Sequence, residues 1–389
     1  MESYNLIQNK LLLEIEKSSV QNLTVYKPLA SGLKTIKKYY PTYTDKKVYS
    51  GKFLFDIDQR YDNLSQMYLE VKGTFYGDST LQDWSTSYFL KNITLRTKKG
   101  VEISKIRSHY TFSRTEQLSG TQLYTPVKNG LSVSAGSTFD FIVPLYLFFS
   151  ESDKFLKTRT LEDLELEVLV NDTKEKMGTS NNIASISVKL CSLYFDKNES
   201  KKLPLLGQVS DEYTIEGYNT YYEEPVTCSP GTTSKKILLN CPYPLFSISC
   251  ILSNTSGTGL KHIKVLRLIQ GSNVFCELDR RINYTFLGNS QGDTEAGPFI
   301  YFFSKLKSRT VDSGLITFNQ SMYPMYLEVE FDSLLSVHEL NVCEEYRTRF
   351  NVNKYGTISP VDIMETVDDT FRQVQENVTS DMSQNYTRN

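Results

Sequence analysis

The sequence is poor in histidine and tryptophan and has almost no net charge. Its 389 residues include three His and one Trp, and the formal net charge is −2. A chain so close to neutral has no overall positive surface for wrapping nucleic acid, which requires many Lys and Arg side chains facing phosphates. His109, His262 and His338 are far apart, and none has another His, a Cys or a carboxylate at metal-ligand spacing. The sequence therefore predicts no catalytic, cofactor-binding or metal-binding residue.

The six cysteines include no Cys-x-x-Cys pair, and the first 190 residues contain no cysteine at all. This distribution fits neither a disulfide framework nor a zinc site, so we expect reduced thiols in sheet cores. The chain also lacks an apolar run of the roughly 18 to 20 residues that a membrane helix needs. Its short N-terminal apolar stretch has no basic region before it and is followed at once by Glu14 and Glu16, so we expect no cleaved signal peptide.

Tyrosine and phenylalanine are abundant, with 26 and 21 residues respectively. Together with frequent β-branched residues, they favour strands over helices. Apolar and polar residues alternate with period two in many short segments, which are separated by turn-rich stretches. We predict an all-β sandwich or barrel with strands at residues 53–57, 67–71, 164–168, 186–195, 236–239, 245–252, 263–269, 299–303, 315–318, 326–331 and 346–352.

One seven-residue motif occurs twice. Residues 144–150 read Pro-Leu-Tyr-Leu-Phe-Phe-Ser, and residues 298–304, at an offset of 154, read Pro-Phe-Ile-Tyr-Phe-Phe-Ser. Each copy precedes a polar stretch and then an alternating strand, at 164–170 and at 326–331. Coincidence is the alternative in a chain rich in Tyr and Phe, but the shared order of features favours a duplicated sandwich.

The length of this repeat and a polar, turn-rich segment at 196–218 divide the chain into two units. We place the boundary near residue 205. The predicted parts are an N-terminal segment with a short amphipathic helix (1–45), a first sandwich (46–205), a second sandwich (206–358) and a C-terminal helix and tail (359–389). Ser359-Pro360 has the pattern of a helix start, and one apolar face follows it at Ile363, Val367, Phe371 and Val374.

Three further segments follow one another in the second half. They are residues 299–307 (Phe-Ile-Tyr-Phe-Phe-Ser-Lys-Leu-Lys), 312–320 (Asp-Ser-Gly-Leu-Ile-Thr-Phe-Asn-Gln) and 345–352 (Glu-Tyr-Arg-Thr-Arg-Phe-Asn-Val). They resemble the aromatic strand, the Pro-Ser-Gly-x-x-Asn-Phe-Ser-Arg signature and the closing strand of double jelly-roll major capsid proteins from large eukaryotic DNA viruses and their polinton-like and virophage relatives. Residues 141–149 and 161–168 are similar to the Ile-Pro-Leu and Leu-x-x-Leu-x-Leu-x-Ile strands of the same family. The signature departs from the family pattern at Asp312, Thr317, Asn319 and Gln320.

The resemblance implies two tandem eight-stranded antiparallel jelly rolls with short flanking helices and a structural, non-enzymatic role. Three such chains present six similar sandwiches, so a pseudo-hexameric homotrimer that tiles an icosahedral shell is expected. The expected location is the virion, after synthesis in the host cytoplasm. Expected partners are copies of the chain itself, penton and minor capsid proteins, and an internal membrane or the genome at the two terminal segments, with no small-molecule substrate and no cofactor.

Two charged segments each have two interpretations. Lys34, Lys37 and Lys38, followed by Tyr39-Tyr40, are a candidate contact for nucleic acid or an anionic membrane; the alternative is a solvated linker whose tyrosines pack on the sandwich. Glu165 and Glu167, within the acidic segment 162–167, lie two apart on one strand face, which is typical of a solvated or interface face rather than of catalytic carboxylates. For the whole chain, the alternative function is a tandem β-sandwich protein that binds carbohydrate or a receptor through a shallow aromatic and acidic groove.

Overall fold

The computed structural model describes residues 34–46, 51–61, 64–75, 79–81, 90–111, 131–133, 138–148, 158–170, 183–195, 213–254, 257–258, 262–287, 299–303 and 324–361, together with residues 114, 136, 150 and 156. Most of these residues lie in antiparallel strands. The strands make two large sheets from each half of the chain.

The first half contains eleven strands in its described residues. They are β1 (Lys34–Tyr39), β2 (Tyr43–Lys46), β3 (Gly51–Asp56), β4 (Leu64–Phe75), β5 (Ser79–Leu81), β6 (Leu90–Thr97), β7 (Glu102–Arg107), β8 (Leu131–Val133), β9 (Thr138–Leu145), β10 (Leu164–Val170) and β11 (Ile183–Phe195). One sheet has the order β1-β11-β4-β9 and the other the order β2-β3-β10-β6-β7, while β5 and β8 pair with each other.

The second half contains β12 (Tyr213–Tyr222), β13 (Val226–Cys228), β14 (Ser234–Leu238), β15 (Leu245–Asn254), β16 (Gly257–Thr258), β17 (Ile263–Gln270), β18 (Asn273–Asp279), helix α1 (Arg280–Leu287), β19 (Phe299–Phe302), β20 (Met325–Phe331), β21 (His338–Val352) and β22 (Ile358–Val361). One sheet follows the path β12-β21-β15, with β19 also paired to β15, and the other has the order β14-β20-β17-β18. The short strands β13 and β22 pair with β21, and β16 pairs with β15.

Both halves have the same strand order. Leaving out the short strands β2, β5, β8, β13, β16 and β22, the eight remaining strands of each half form one sheet ordered 1-8-3-6 and a second ordered 2-7-4-5. Two four-stranded sheets connected in this way form an eight-stranded jelly roll. The structure therefore confirms the predicted all-β fold of two tandem jelly rolls.

The internal repeat has a structural counterpart. Its first copy begins in β9 and its second copy spans β19, and these are the sixth strands of their sandwiches. The following strands, β10 and β20, are both seven residues long and alternate buried with partly buried residues. A β-bulge also recurs, because the pairing of β6 with β7 skips Ile103 and the pairing of β17 with β18 skips Phe275. These shared details favour duplication over coincidence.

Two predictions about the ends of the sandwiches need correction. β1 and β2 lie in the segment predicted to precede the first sandwich, yet β1 pairs along its length with β11 and β2 pairs with β3. Ser359-Pro360 does not start a helix, because both residues lie in β22, where Pro360 stands opposite Phe350. Proline is tolerated there because β22 is a short strand at a sheet edge.

Other predicted features lie outside the described residues. They are the N-terminal helix, the strand at 315–318, the domain boundary near 205 and the apolar face at 363–374. Within the described part of the chain, no helix is both long and apolar enough to span a membrane.

The hydrophobic core of the first sandwich is completed by the second. Side chains from both sheets of the first half fill it, among them Phe53, Leu69 and Leu166. Four buried side chains of the second half join the same cluster: Cys343, Phe350, Val352 and Ile358. A separate cluster between the two sheets of the second half forms the second core. The two jelly rolls therefore pack through apolar as well as polar contacts.

Candidate assembly surfaces

Histidine and cysteine form no metal-binding group in the described residues, where no three His, Cys, Asp or Glu side chains are suitably clustered. The prediction that each histidine is isolated is nevertheless wrong for one pair. The rings of His262 and His338 pack edge to face with centroids 5.5 Å apart, because the starts of β17 and β21 lie together. His338 Nδ1 is 2.8 Å from the backbone oxygen of Ser336. No feature of the sequence predicts this contact, because the two histidines are far apart along the chain.

The six cysteines are free thiols, and four of them are buried in the sandwiches. Burial raises the pKa of the Cys250 thiol well above its usual value. Burial likewise raises the pKa of Cys276 to about 11, although this thiol is only partly buried. A thiol must ionise to act as a nucleophile or as a metal ligand. Burial therefore favours the protonated thiol form of these cysteines at neutral pH.

The contact between the two jelly rolls, here called the seam, is built on the free edge of β7. This strand lies at the end of its sheet, so backbone groups on one side have no neighbouring strand. The side chain of Asn219, on β12, takes the place of such a neighbour. Its Oδ1 accepts a hydrogen bond from the Lys105 backbone N–H at 3.0 Å, and its Nδ2 donates to the Ile103 backbone oxygen at 3.1 Å. A side-chain amide can do this because it carries the same donor and acceptor as a peptide group.

Two further side chains of β12 extend this pattern along β7. Thr220 Oγ1 donates to the Lys105 backbone oxygen. The hydroxyl oxygen of Tyr222 accepts from the Arg107 backbone N–H at 2.6 Å, and the Arg107 guanidinium lies 4.4 Å from the centre of the Tyr222 ring. An open sheet edge is a template for pairing with another chain. The seam closes the β7 edge with side chains instead of a strand.

Close packing supports these hydrogen bonds. Gly217 on β12 faces Phe148 of the first sandwich, and a Cβ atom added at Gly217 would lie 2.6 Å from the Cβ and Cγ atoms of Phe148. Glycine is needed at this position because any side chain would collide with that ring. The aromatic ring and the absence of a side chain opposite it thus fix how closely the two sandwiches approach.

Buried polar contacts extend the seam on either side. The hydroxyl of Tyr110, in the first half, donates to Glu345 Oε1 at 3.1 Å, and Ser247 Oγ donates to Glu345 Oε2 at 3.0 Å. Elsewhere, the Glu162 backbone N–H donates to the Gly356 backbone oxygen at 2.9 Å, and Glu162 Oε1 accepts from the Ile358 N–H at 3.2 Å. The Ser247 bond lies within the second half, but the contacts of Tyr110 and Glu162 join residues of the two halves and so orient one sandwich on the other.

A pair of glutamates lies within the second sandwich, close to the seam. Glu344 is fully buried on β21 and next to Glu223, which accepts hydrogen bonds from the backbone N–H and the side-chain Nδ2 of Asn240. Burial, and then the hydrogen bond and charge of Glu223, raise the pKa of Glu344 well above its usual range. Two carboxyl groups in contact favour sharing one proton. Burial and the neighbouring carboxylate therefore favour the protonated form of Glu344.

The basic cluster of the sequence lies on strand β1, so its interpretation as a linker is wrong, but Tyr39 packs on the sandwich core as that interpretation expected. Lys38 forms an ion pair with Glu70 at 2.9 Å, and the Lys37 ammonium lies 4.8 Å from the centre of the Tyr61 ring. The outward face of β1 also includes Ile36, whose exposed fraction is 65%. The cluster is thus a mixed apolar and basic surface at the edge of the first sandwich.

The acidic pair of the sequence is held by basic residues on neighbouring strands. Glu165 and Glu167 both contact the Arg96 guanidinium, at 2.7 and 3.1 Å, and Lys52 contacts Glu167 at 2.6 Å. The second sandwich has a similar arrangement, in which Arg267 bridges acidic residues of β18 and β20: Glu277, Glu328 and Glu330. The Glu165 and Glu167 side chains are only 17% and 13% exposed, so the first ladder is a partly buried ion-pair network.

The free edge of the second sandwich differs from that of the first. β18 is the outer strand of its sheet, as β7 is in the first half. Val274 and Phe275, near its start, have exposed fractions of 52% and 59%. Large exposed apolar side chains at a sheet edge are a typical feature of protein interaction sites.

The strand order of the two halves identifies the fold, and known structures with the same fold can be compared with it. This chain has a double jelly-roll fold. The PBCV-1 virus capsid structure is similar with a TM-score of 0.63 and 14% identity, covering 87% of this chain and 98% of that one. The Faustovirus major capsid protein is similar with a TM-score of 0.56 and 8% identity, covering 84% of this chain and 91% of that one. The mavirus major capsid protein has a TM-score of 0.51 and 11% identity, with coverage of 84% and 90%.

Comparisons at the level of sequence give a different result. No protein-family model matches the chain, and no curated protein does. The double jelly roll is therefore recognised through its three-dimensional arrangement and through the loose motifs described above. The similar structures are capsid components, and this chain spans nearly all of each of them.

Proposed function

We propose that this chain is the major capsid protein of a DNA virus, and that three copies form a pseudo-hexameric capsomer that tiles an icosahedral shell. The observation that carries the proposal is the repetition of one strand order, 1-8-3-6 and 2-7-4-5, in two sandwiches held together by a built seam. Three such chains around a threefold axis place six similar units in a ring. The shared use of this fold by capsid proteins of several viruses supports the same assignment.

The role proposed is structural. The buried thiols have raised pKa values, and the histidine pair packs ring against ring with a backbone partner. The acidic pair is neutralised by Arg96 and Lys52. Within the described residues, each of these groups is buried or paired with a neighbour, which supports a structural role. The proposed function would then depend on contacts between the surfaces of neighbouring copies and not on a chemical reaction.

Oligomeric state tests the proposal directly. The purified full chain is examined by size-exclusion chromatography with light scattering, and then by electron microscopy at high protein concentration. A stable trimer that forms hexagonal arrays is the expected result. A monomer at every concentration would contradict the capsid assignment. If that monomer also bound immobilised glycans, the carbohydrate-binding alternative would replace it.

Residues 1–33 and 362–389, which lie outside the described residues, are proposed to contact minor capsid or penton proteins, an internal membrane or the genome. Assembly would follow synthesis in the host cytoplasm. Deletion of residues 362–389 leaves β22 intact and removes only the segment after it. We expect trimers of the shortened chain that form arrays less well than the full chain. Equal array formation would show that the C-terminal segment is not an assembly arm.

A further inference from the structure

The outward face of one sheet in the second sandwich carries a row of apolar side chains. This sheet has the strand order β14-β20-β17-β18, and strand pairing aligns one residue of each strand in a row: Leu238, Tyr326, Ile269 and Val274. The neighbouring residue Leu327 is buried in the core, so the row lies on the opposite, outward face. Leu238 and Val274, at the two ends of the row, have exposed fractions of 40% and 52%. A continuous apolar row on a protein surface is typical of an interaction site.

The equivalent row of the first sandwich is charged. Glu165 is the second residue of β10, as Tyr326 is the second residue of β20. Pairing aligns Glu165 with Asp56 on one side and Arg96 on the other, and Arg96 is paired in turn with Glu102. Three carboxylates and one guanidinium thus occupy the positions that are apolar in the second sandwich. Since both sandwiches have the same strand order, the jelly roll itself does not require an apolar row here.

A second row, two residues further along the strands, has alternating charges. Its members, in the same strand order, are Lys236, Glu328, Arg267 and Glu277. A twofold axis parallel to the strands would place the first strand of one copy opposite the last strand of the other. Lys236 would then face Glu277 of the second copy, and Glu328 would face Arg267 of that copy. The pattern of charges is therefore complementary to itself, and the apolar row would likewise face an apolar row.

We propose that this face docks on the same face of a second copy in a neighbouring trimer, about a twofold axis that runs parallel to the strands. This inference rests on the proposed function and specifies one surface through which capsomers meet. The contact is isologous, so both chains contribute the same residues. Against the first sandwich of another copy, the apolar row would instead meet the charged row that contains Glu165 and Arg96, and burial of those charges against apolar side chains is costly. The second sandwich of another copy is therefore the better occupant.

A contact at a sheet edge leaves the outward face beside it open, as the seam demonstrates. Glu102 and Lys105 lie on the outward face of β7, whose edge is covered by β12. Their side chains nevertheless have exposed fractions of 48% and 33%. The matching strand pairs make Glu102 equivalent to Val274 and Lys105 equivalent to Glu277. The proposed contact on the outward face can therefore form together with other contacts at the edge of β18.

Charge reversal tests the twofold pairing. Lys236→Glu and Glu277→Lys are made separately in the full chain, and association of the purified trimers is measured by analytical ultracentrifugation and by electron microscopy of arrays. Each variant alone places like charges opposite each other at both ends of the contact. We expect the trimer concentration at which half of the trimers are associated to rise about tenfold or more for each variant.

An equal mixture of the two variants is expected to recover the association of the unsubstituted trimers. One variant carries acidic side chains at positions 236 and 277 and the other carries basic ones, so every contact between unlike trimers brings opposite charges together. The recovery cannot arise within one chain, because three strand spacings, or about 14 Å, separate Lys236 from Glu277 in the sheet.

Two controls show whether the effects belong to this face. Lys354→Glu makes the same change of charge on the exposed turn between β21 and β22 and should leave association unchanged. Leu238→Asp should weaken association about tenfold or more. Leu335→Asp should have no effect, since Leu335 is 87% exposed on the loop between β20 and β21. Thermal denaturation of the dilute trimers should be similar for all variants, because every substituted position is exposed.

The outcomes separate this inference from the function on which it rests. Trimers that associate equally well with either charge reversal would overturn the proposed surface while leaving the capsomer in place. Reversals that weaken association but are not compensated by mixing would overturn the twofold pairing. A chain that stays monomeric at all concentrations would overturn the proposed function as well. Weakened association of each variant alone, recovery in the mixture and no effect of Lys354→Glu would together establish the contact.

Discussion

Substitution of Asn219 by alanine should weaken the seam more than any neighbouring polar substitution. The Asn219 amide is almost fully buried and makes two hydrogen bonds with the β7 edge, one to Lys105 and one to Ile103. Alanine removes the amide but leaves the backbone N–H and C=O of β7 in place. Those groups then face a site from which water is largely excluded.

The magnitude follows from the two groups left unpaired. A buried donor or acceptor without a partner costs about 1–3 kcal/mol, and some water can enter the space left by the amide, so we expect a loss of about 2–4 kcal/mol in the free energy of unfolding. Asn219→Asp should cost at least as much as Asn219→Ala, because a carboxylate oxygen would face the Ile103 carbonyl oxygen to which the amide now donates. The order of the two variants thus reports on the individual bonds.

Urea denaturation followed by tyrosine fluorescence gives the free energy of unfolding, and hydrogen exchange gives the protection of the Lys105 amide. Asn341→Ala is the control, since this partly buried amide makes a long, exposed bond of 3.4 Å to the Glu339 backbone oxygen. We expect that control to change stability by less than about 0.5 kcal/mol. Equal stability of the two alanine variants, with unchanged protection at Lys105, would refute the view that Asn219 replaces a strand neighbour.

Three further outcomes can be measured on the same chain. Gly217→Ala should cost about 1–3 kcal/mol in urea denaturation through its collision with Phe148, and this cost should vanish in a Phe148→Ala background. Because the folded pKa of Glu344 is raised, the free energy of unfolding should fall as pH rises from the usual glutamate range toward that pKa, by up to about 1.4 kcal/mol per pH unit. Glu344→Gln should remove this pH dependence in thermal denaturation. An unchanged pH dependence would show that another group titrates. Alkylation of Cys250 in the native chain at neutral pH should be far slower than after denaturation, and equal rates would contradict its burial.

The fold could be predicted from the sequence because apolar and polar residues alternate along the central strands, which indicates one buried and one outward face. β10 and β20 each have one buried and one outward face, so every second residue is apolar. The repeat at residues 144 and 298 then indicated two copies of one unit. Edge strands are different, because a strand such as β1 carries several lysines and keeps an exposed side. Its composition is that of a linker, and its pairing with β11 depends on residues about 150 positions away.

The seam could not be predicted, since its polar groups carry no pattern of their own. Asn219, Thr220 and Tyr222 read as ordinary strand residues, and Gly217 reads as a weak point in a strand. Their role arises only when β12 lies against the free edge of β7, which is a property of the tertiary arrangement. The Glu223–Glu344 pair is similarly invisible in sequence because more than 100 residues separate its members.

The shared core has a consequence for synthesis on the ribosome. The first sandwich lacks part of its interior until Cys343, Phe350, Val352 and Ile358 have been translated. Those residues leave the ribosome roughly 150 positions after β11, which at typical elongation rates corresponds to a delay of about 10–30 s. A nascent first half is therefore an incomplete globule during that interval. Only a finished polypeptide reaches its full stability, so a product truncated before Cys343 should unfold more readily than the full chain.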